Sequence, residues 1–135
     1  MAESPKIIFV VNEDWAFMTL RLPMAKAALA FCKSGGGEVI IATRVNEHRA
    51  AMEGMGFRVV HVPFERGGIN PFKELSVVWQ LARLFRAERP DIIHTIALKA
   101  NLDGSLAALA VPKAAVINTF AGMGAVFIGS SGFGL

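Results

Sequence analysis

The amino-acid sequence predicts a doubly wound, Rossmann-like α/β domain built on a parallel sheet. Short apolar runs such as 7–11 alternate along the chain with longer stretches that repeat apolar residues at helical spacing. Residues that end helices, such as Gly56, Pro90 and Pro112, follow these longer stretches. The hydrophobic fraction of 53% is typical of strands buried on both faces, or of an apolar face covered by a partner. Strands and helices alternating in this way form βαβ units and therefore a parallel sheet.

We predict nine elements in one domain over residues 1–135. The five strands are 6–12, 38–43, 58–62, 91–96 and 114–119. The four helices are 21–33, 46–55, 72–88 and 102–109. Asn46 is placed as the N-cap of the second helix and Pro71 in the first turn of the third, because these residue types favour those positions.

The predicted fold also indicates where a ligand would bind. Doubly wound sheets of this kind usually order their strands 3-2-1-4-5, with a crevice at the carboxyl ends of the strands where the order reverses. Three loops would then meet at the crevice, formed by residues 12–15, 94–100 and 119–124.

Composition excludes some classes of protein. The net charge is +3, but the chain has neither a basic run nor interleaved aromatic residues, so nucleic acid is not expected as a partner. The single cysteine, Cys32, fits a reducing compartment. No secretory signal opens the sequence, because residues 1–6 are polar and the following apolar run is short. A cytoplasmic protein is therefore expected.

The stretch 114–135 carries no charge and is interrupted by glycines. It could be a membrane span, or the fifth strand followed by a glycine-rich loop. The strand followed by a loop is favoured, because a membrane span would place four polar side chains in hydrocarbon: Asn118, Thr119, Ser130 and Ser131.

The loop after the first strand reads Asn12-Glu13-Asp14-Trp15, where a dinucleotide-binding fold would have glycines. Two compatible interpretations remain open. The loop contacts a ligand, or it is a turn in which Asp14 caps the next helix and Trp15 packs over the sheet edge.

His94, placed at the end of the fourth strand, is either a crevice residue or a buried structural histidine. Lys99 could meet an anion in the crevice. His48, His61 and Cys32 lack the spacing of metal ligands, so no metal site is predicted.

The third helix carries a polar and basic stripe beside an apolar one. This pattern is typical of a core helix with a basic solvent face, and the alternative is a helix that lies on a membrane surface.

The sequence resembles the N-terminal domain of family 4 glycosyltransferases, in the subgroup that builds bacterial surface polysaccharides and lipid-linked oligosaccharides. The resemblance covers residues 6–127. Its most specific motifs are N-E-D-W after the first strand, A-T-R-V after the second, R-P-D-I-I-H into the fourth, and G-M-G after N-T-F.

This resemblance implies one half of a GT-B architecture, in which two Rossmann-like domains face each other across a cleft. The C-terminal domain, absent from these 135 residues, would bind the nucleotide-sugar, and the N-terminal domain would receive the acceptor. Transfer would retain the configuration of the sugar and need no metal or other cofactor. The chain alone is therefore expected to be inactive.

The resemblance further implies that His94 lies near the reaction centre. The implied acceptor-binding residues come from the crevice loops and the first helix: Asn12, Glu13, Asp14, Trp15, Arg21, Lys99, Thr119, Gly122 and Gly124. The chain departs from the family pattern at Leu20, where a histidine is usual, and at Ala97 and Ala100 after the fourth strand.

Three alternatives remain open: a non-catalytic binding module, a GT-B sugar-nucleotide epimerase, and an oxidoreductase that holds the 2′-phosphate of NADP with Arg44. The partners expected are a separate C-terminal domain, a second copy met through residues 120–135, and an anionic membrane surface.

Overall fold

The computed structural model describes residues 4–64 and 71–119. The strands are β1 (Lys6–Glu13), β2 (Glu38–Arg44), β3 (Arg58–His61), β4 (Ile92–Ile96) and β5 (Ala115–Thr119). The helical segments are α1 (Asp14–Ala16), a π-helical turn (Phe17–Arg21), α2 (Leu22–Ser34), α3 (Arg49–Gly54), α4 (Pro71–Glu88), α5 (Leu98–Ala107) and a 3-10 turn (Ala108–Ala110).

The five strands form one parallel sheet in the order β3-β2-β1-β4-β5. This confirms the predicted fold class and strand order. In the register, Phe9 of β1 lies opposite Ile41 of β2 on one side and His94 of β4 on the other. The carboxyl ends of β1 and β4 are therefore neighbours, which places the predicted crevice at this edge of the sheet.

Successive side chains of the strands pack into two cores, one on each face of the sheet. Phe9 and Val11 belong to the first core, which α2 and α3 cover. Val10 and Ile8 belong to the second, which α4 and α5 cover. We call the two sides the α2 face and the α4–α5 face.

Three predicted helix starts were wrong by three residues or more. Helical structure begins directly after β1 at Asp14, not at Arg21, and includes the π-helical turn. The second helix begins at Arg49, so Asn46 is not its N-cap. The fourth begins at Leu98, four residues before the predicted start. The first and third shifts shorten the connection after a strand and the second lengthens it, all at the carboxyl edge of the sheet.

The described helices include none that is both long and apolar enough to cross a membrane. Most of the uncharged stretch lies outside the described residues, including Gly122 and Gly124, as does the predicted self-association segment 120–135.

Candidate functional site

Asp14 holds the loop that follows β2. Its carboxylate is wholly buried and accepts hydrogen bonds from the backbone N–H groups of Asn46 (2.8 Å) and His48 (3.0 Å). The Asn46 side-chain amide donates a third hydrogen bond at 3.2 Å. Burial alone would raise the pKa of Asp14, but these hydrogen bonds outweigh it and lower the pKa to about 2. The carboxylate is therefore ionised at neutral pH.

This geometry corrects the predicted cap. No side chain caps the start of α1. Asp14 instead accepts hydrogen bonds from the backbone N–H groups of the residues before α3. It therefore joins the start of α1 to the loop after β2. Asn46 serves as the donor in this contact.

Glu13, the last residue of β1, and Trp15, in α1, lie on the solvent side of the junction between strand and helix. The indole Nε1 of Trp15 donates to Glu13 Oε2 at 3.0 Å, and the Asn46 side chain donates to the same oxygen at 3.3 Å. Trp15 is 53% exposed. The loop presents an aromatic ring and a carboxylate at the carboxyl edge, which suits a polar ligand with an apolar face, such as a sugar.

Asn12 lies in β1, next to Glu13. It stands at an irregularity in the pairing of β1 with β2, between Val11 and Glu13. Its Oδ1 atom is buried and has no hydrogen-bond partner among the described residues. Because buried polar atoms are normally paired, this oxygen could accept a hydrogen bond from a ligand or a water molecule.

His94 lies within β4, two residues before its end, and its side chain is on the α2 face. The ring stacks on Phe9 with centroids 5.2 Å apart, and it is 9% exposed. Its Nε2 atom lies 2.6 Å from Thr119 Oγ1, which joins the ends of β4 and β5. Burial lowers the pKa of His94, and the positive charge of Arg21 lowers it further. The imidazole is therefore neutral at pH 7 and can both donate and accept a hydrogen bond.

Arg21 ends the π-helical turn above this histidine. Phe17, at the start of the turn, packs edge-on against Phe9 with centroids 6.2 Å apart, so the turn lies over the Phe9–His94 pair. The Nε atom of Arg21 is buried without a partner in the described part of the chain. Such π-turns are frequent at functional sites because they re-aim side chains.

Lys99 does not join His94. It extends from α5 and pairs with Glu74 of α4 at 2.6 Å, on the α4–α5 face. Asp103 is buried beside this pair, and burial, together with the charge of Glu74, raises the pKa of Asp103 to about 6. Lys99 therefore ties α5 to α4 at the rim of the crevice.

Three polar residues that were not predicted connect the crevice strands. Thr95 Oγ1 lies 2.7 Å from Asn101 Oδ1 and also contacts Asn118 Oδ1. The Asn101 amide donates to the backbone oxygen of Thr119 at 3.2 Å. This network fixes the start of α5 against β4 and β5. Its signal in the sequence was the polar Thr95 and Asn118 within otherwise apolar strands.

The oxidoreductase interpretation gains no support from Arg44. Its guanidinium donates to the backbone oxygen of Phe64 at 2.7 Å, which holds the chain after β3. In residues 4–64 and 71–119, no three His, Cys, Asp or Glu side chains are grouped as a metal ion would require.

Polar side chains at the carboxyl edge of a 3-2-1-4-5 parallel sheet define a doubly wound, Rossmann-like domain with a candidate binding crevice. The sequence model of the family "Glycosyl transferase 4-like" matches residues 6–129. The chain belongs to this family, which confirms the resemblance.

One curated relative is N,N′-diacetylbacillosaminyl-diphospho-undecaprenol α-1,3-N-acetylgalactosaminyltransferase of Campylobacter jejuni, 28% identical over 76% of this chain and 26% of its own length. A glycosyltransferase of Rickettsia africae superposes with a TM-score of 0.67 and 17% identity, over 86% of this chain and 30% of that one. A structure described as a UDP-N-acetylglucosamine 2-epimerase of Listeria monocytogenes superposes with a TM-score of 0.60 and 17% identity, over 87% of this chain and 31% of that one. The chain thus spans about a quarter to a third of the length of these proteins.

Proposed function

We propose that this chain is the acceptor side of a retaining glycosyltransferase that transfers a hexosyl or N-acetylhexosaminyl group to a lipid-linked or polysaccharide acceptor. A second GT-B domain would bind the nucleotide-sugar, the co-substrate of the complete enzyme. The reaction would need no metal or other cofactor and would take place in the cytoplasm. Membership of the glycosyl transferase 4-like family supports the reaction class, and the name of the Campylobacter relative supports a lipid-diphosphate acceptor.

The observation that carries the proposal is the set of side chains at the junction of β1 and α1. A pyrophosphate would be held by exposed backbone N–H groups of a glycine-rich turn at a helix N-terminus. Here Glu13 and Trp15 occupy that place, and the buried Asp14 carboxylate lies behind them. This arrangement offers no glycine-rich turn for the pyrophosphate of a nucleotide-sugar, whereas an exposed indole beside a carboxylate suits the face and hydroxyl groups of an acceptor sugar.

His94 would lie near the reacting atoms, with Arg21 next to it. The ring can hydrogen-bond an acceptor or donor hydroxyl through Nδ1, because Nε2 contacts Thr119 Oγ1. The guanidinium of Arg21 would meet an anionic group of the acceptor or donor. Alone, the chain would catalyse no transfer, because one wall of a two-walled cleft can neither orient the donor nor exclude water.

Calorimetry on the 135-residue chain tests this proposal. The probe is N-acetylglucosaminyl diphosphate carrying a short isoprenoid, compared with UDP-N-acetylglucosamine and UDP-N-acetylgalactosamine. We expect the acceptor analogue to bind and the UDP-sugars to bind at least about tenfold more weakly. Sub-micromolar binding of either UDP-sugar with no acceptor binding would contradict the proposal.

A matched pair of variants locates the site. His94→Gln should weaken acceptor binding by about tenfold or more, since it removes the ring that contacts Thr119 and faces the crevice. His61→Gln is the control, because His61 lies at the end of β3, away from β4 and β5. Equal losses in the two variants would show that His94 has no special role in binding.

The alternatives predict other results. An epimerase would convert UDP-N-acetylglucosamine without an acceptor, and an oxidoreductase would change the fluorescence of NADPH on binding. A binding module would take up the acceptor analogue but show no transfer even after a C-terminal domain is supplied.

A further inference from the structure

We infer that His48 accepts a hydrogen bond from a hydroxyl group of the acceptor, and that Asp14 positions the His48 ring for this contact. His48 lies in the loop between β2 and α3, directly before α3 begins at Arg49. The inference rests on the proposed function and deepens it, because it names a residue that holds the acceptor sugar.

The two nitrogen atoms of the His48 ring have different surroundings. Nδ1 is buried 3.4 Å from Asp14 Oδ1, and it has no other polar partner in the described part of the chain. The side chain as a whole is 34% exposed, so the exposed part belongs to its other atoms, among which Nε2 is the only polar one. Within residues 4–64 and 71–119, Nε2 makes no hydrogen bond. His48 thus turns one nitrogen towards Asp14 and can offer the second to a ligand.

Asp14 determines which nitrogen of the neutral ring carries the proton. Burial opposes ionisation of this carboxyl group, but hydrogen bonds from the loop before α3 outweigh it, so that the pKa of Asp14 is about 2. A carboxylate 3.4 Å from Nδ1 attracts an N–H group and repels a lone pair. The proton is therefore on Nδ1 and the lone pair is on Nε2. A nitrogen with a lone pair accepts hydrogen bonds, and a sugar hydroxyl donates them.

The pair belongs to the same contact network as the proposed sugar-binding side chains. Asp14 lies between Glu13 and Trp15 in the sequence, at the carboxyl end of β1. The side-chain amide of Asn46 donates to Glu13 Oε2 at 3.3 Å and to Asp14 Oδ1 at 3.2 Å. Glu13 Oε2 also accepts from the Trp15 indole. A ligand that lies on the indole would therefore be within a few side chains of His48.

His48 and His94 belong to the same face of the sheet. His48 immediately precedes α3, which packs Met52 into the core of the α2 face, and His94 stacks on Phe9 in that face. β2 and β4 lie on opposite sides of β1, about 10 Å apart. An acceptor sugar over the end of β1 would thus have His94 on one side, near the reacting atoms, and His48 on the other, at a hydroxyl that does not react.

Two variants separate this contact from a purely structural role. The amide of asparagine reaches as far from the backbone as Nδ1, so His48→Asn keeps a donor for Asp14 and removes Nε2. The amide of glutamine reaches as far as Nε2, so His48→Gln keeps a polar group there and loses the donor for Asp14. If His48 only supported its loop, asparagine would be the better replacement. We expect the opposite for acceptor binding, with a loss of about tenfold in His48→Asn and of less than about threefold in His48→Gln.

Calorimetry with N-acetylglucosaminyl diphosphate carrying a short isoprenoid measures these losses. Analogues that lack the hydroxyl group at C3, C4 or C6 of the sugar identify the contact. One of them should bind the parent chain about tenfold more weakly than the complete sugar, and His48→Asn should bind both equally. His61→Gln is the control, because His61 Nδ1 accepts from the backbone N–H of Val45 at 3.1 Å. This variant disturbs the same loop but should still distinguish the two sugars.

A second measurement uses the chain without ligand, and so does not depend on how the variants fold. Long-range ¹H–¹⁵N spectra of the histidine-labelled chain are recorded at about pH 8.5, above the range in which histidines ordinarily titrate. His48 should carry its proton on Nδ1. In Asp14→Asn the proton should move towards Nε2, because the carboxylate that attracts it is gone.

The outcomes separate this inference from the proposed function. Failure of the acceptor analogue to bind the parent chain would contradict the proposed function, and the hydroxyl contact with it. If the analogue binds, three results would overturn this inference alone: His48→Asn binds as tightly as the parent, no deoxy analogue binds the parent more weakly, or the His48 proton is on Nε2 in the free chain.

Discussion

At the scale of the residue, the site depends on buried polar side chains whose partners are set by distant loops. Asp14 is the clearest case, because its partners Asn46 and His48 come more than thirty residues later. The sequence pattern predicted that Asp14 lies at the carboxyl edge, because Asp14 follows an apolar strand. The identity of its partners could not be predicted, because a carboxylate accepts hydrogen bonds from any nearby N–H.

Asp14→Asn should destabilise the domain by about 2 kcal/mol at pH 7, given a pKa of about 2 in the folded state against 3.8. Because folding lowers this pKa, the stabilisation is present in full above about pH 4 and is lost as pH falls through 2. Urea unfolding of the parent protein and of Asp14→Asn, at pH 7 and at low pH, measures the difference in their free energies of unfolding.

The control for this prediction is Glu53→Gln, which removes an exposed pair with Arg49 and should change the free energy of unfolding by less than about 0.5 kcal/mol. If the difference between Asp14→Asn and the parent persisted unchanged at pH 2, the charge of Asp14 would not be its cause.

At the scale of the element, the spacing of apolar residues predicted the five strands of the described sheet and the helices α2 to α5. The predicted helix starts were wrong at the carboxyl edge of the sheet, next to the crevice. The helical structure after β1 begins seven residues before the predicted start. It includes the π-helical turn, in which Phe17 packs on Phe9. Apolar spacing measured for a 3.6-residue helix cannot detect a π-turn, since the extra residue breaks the period.

The close approach of α5 to β4 gives a prediction of its own. A Cβ atom at Gly104 would lie 2.4 Å from Thr95 Cγ2. Gly104→Ala should therefore destabilise the domain by about 1–3 kcal/mol in thermal or urea unfolding. Thr95→Ser keeps the hydroxyl that contacts Asn101 but removes the methyl group, so it should recover most of that loss in the double variant.

Gly54→Ala is the matched control, because a Cβ atom at Gly54 meets nothing within 4 Å in α3. It should be neutral or slightly stabilising. A Gly104→Ala protein as stable as the Gly54→Ala protein would mean that α5 moves away from β4 without loss.

At the scale of the whole molecule, the two faces of the sheet have different roles. The α2 face carries His94 and Arg21, whereas the helices of the α4–α5 face expose large apolar side chains such as Phe72 and Leu102. The sequence indicated the basic, amphipathic character of α4. It did not indicate the leucine row of α5, because the predicted helix began at residue 102 and so omitted Leu98.

The central claim is that the carboxyl edge of this sheet receives the acceptor and not the nucleotide-sugar. The most direct test is amide chemical-shift mapping of the isotope-labelled chain, titrated first with the isoprenoid-diphosphate sugar and then with UDP-N-acetylglucosamine. The account predicts that the acceptor analogue shifts the amides of Asn12, Trp15, Arg21 and Thr119, and that the UDP-sugar leaves them in place. Shifts of these amides by the UDP-sugar alone, or acceptor shifts confined to the opposite edge of the sheet, would contradict it.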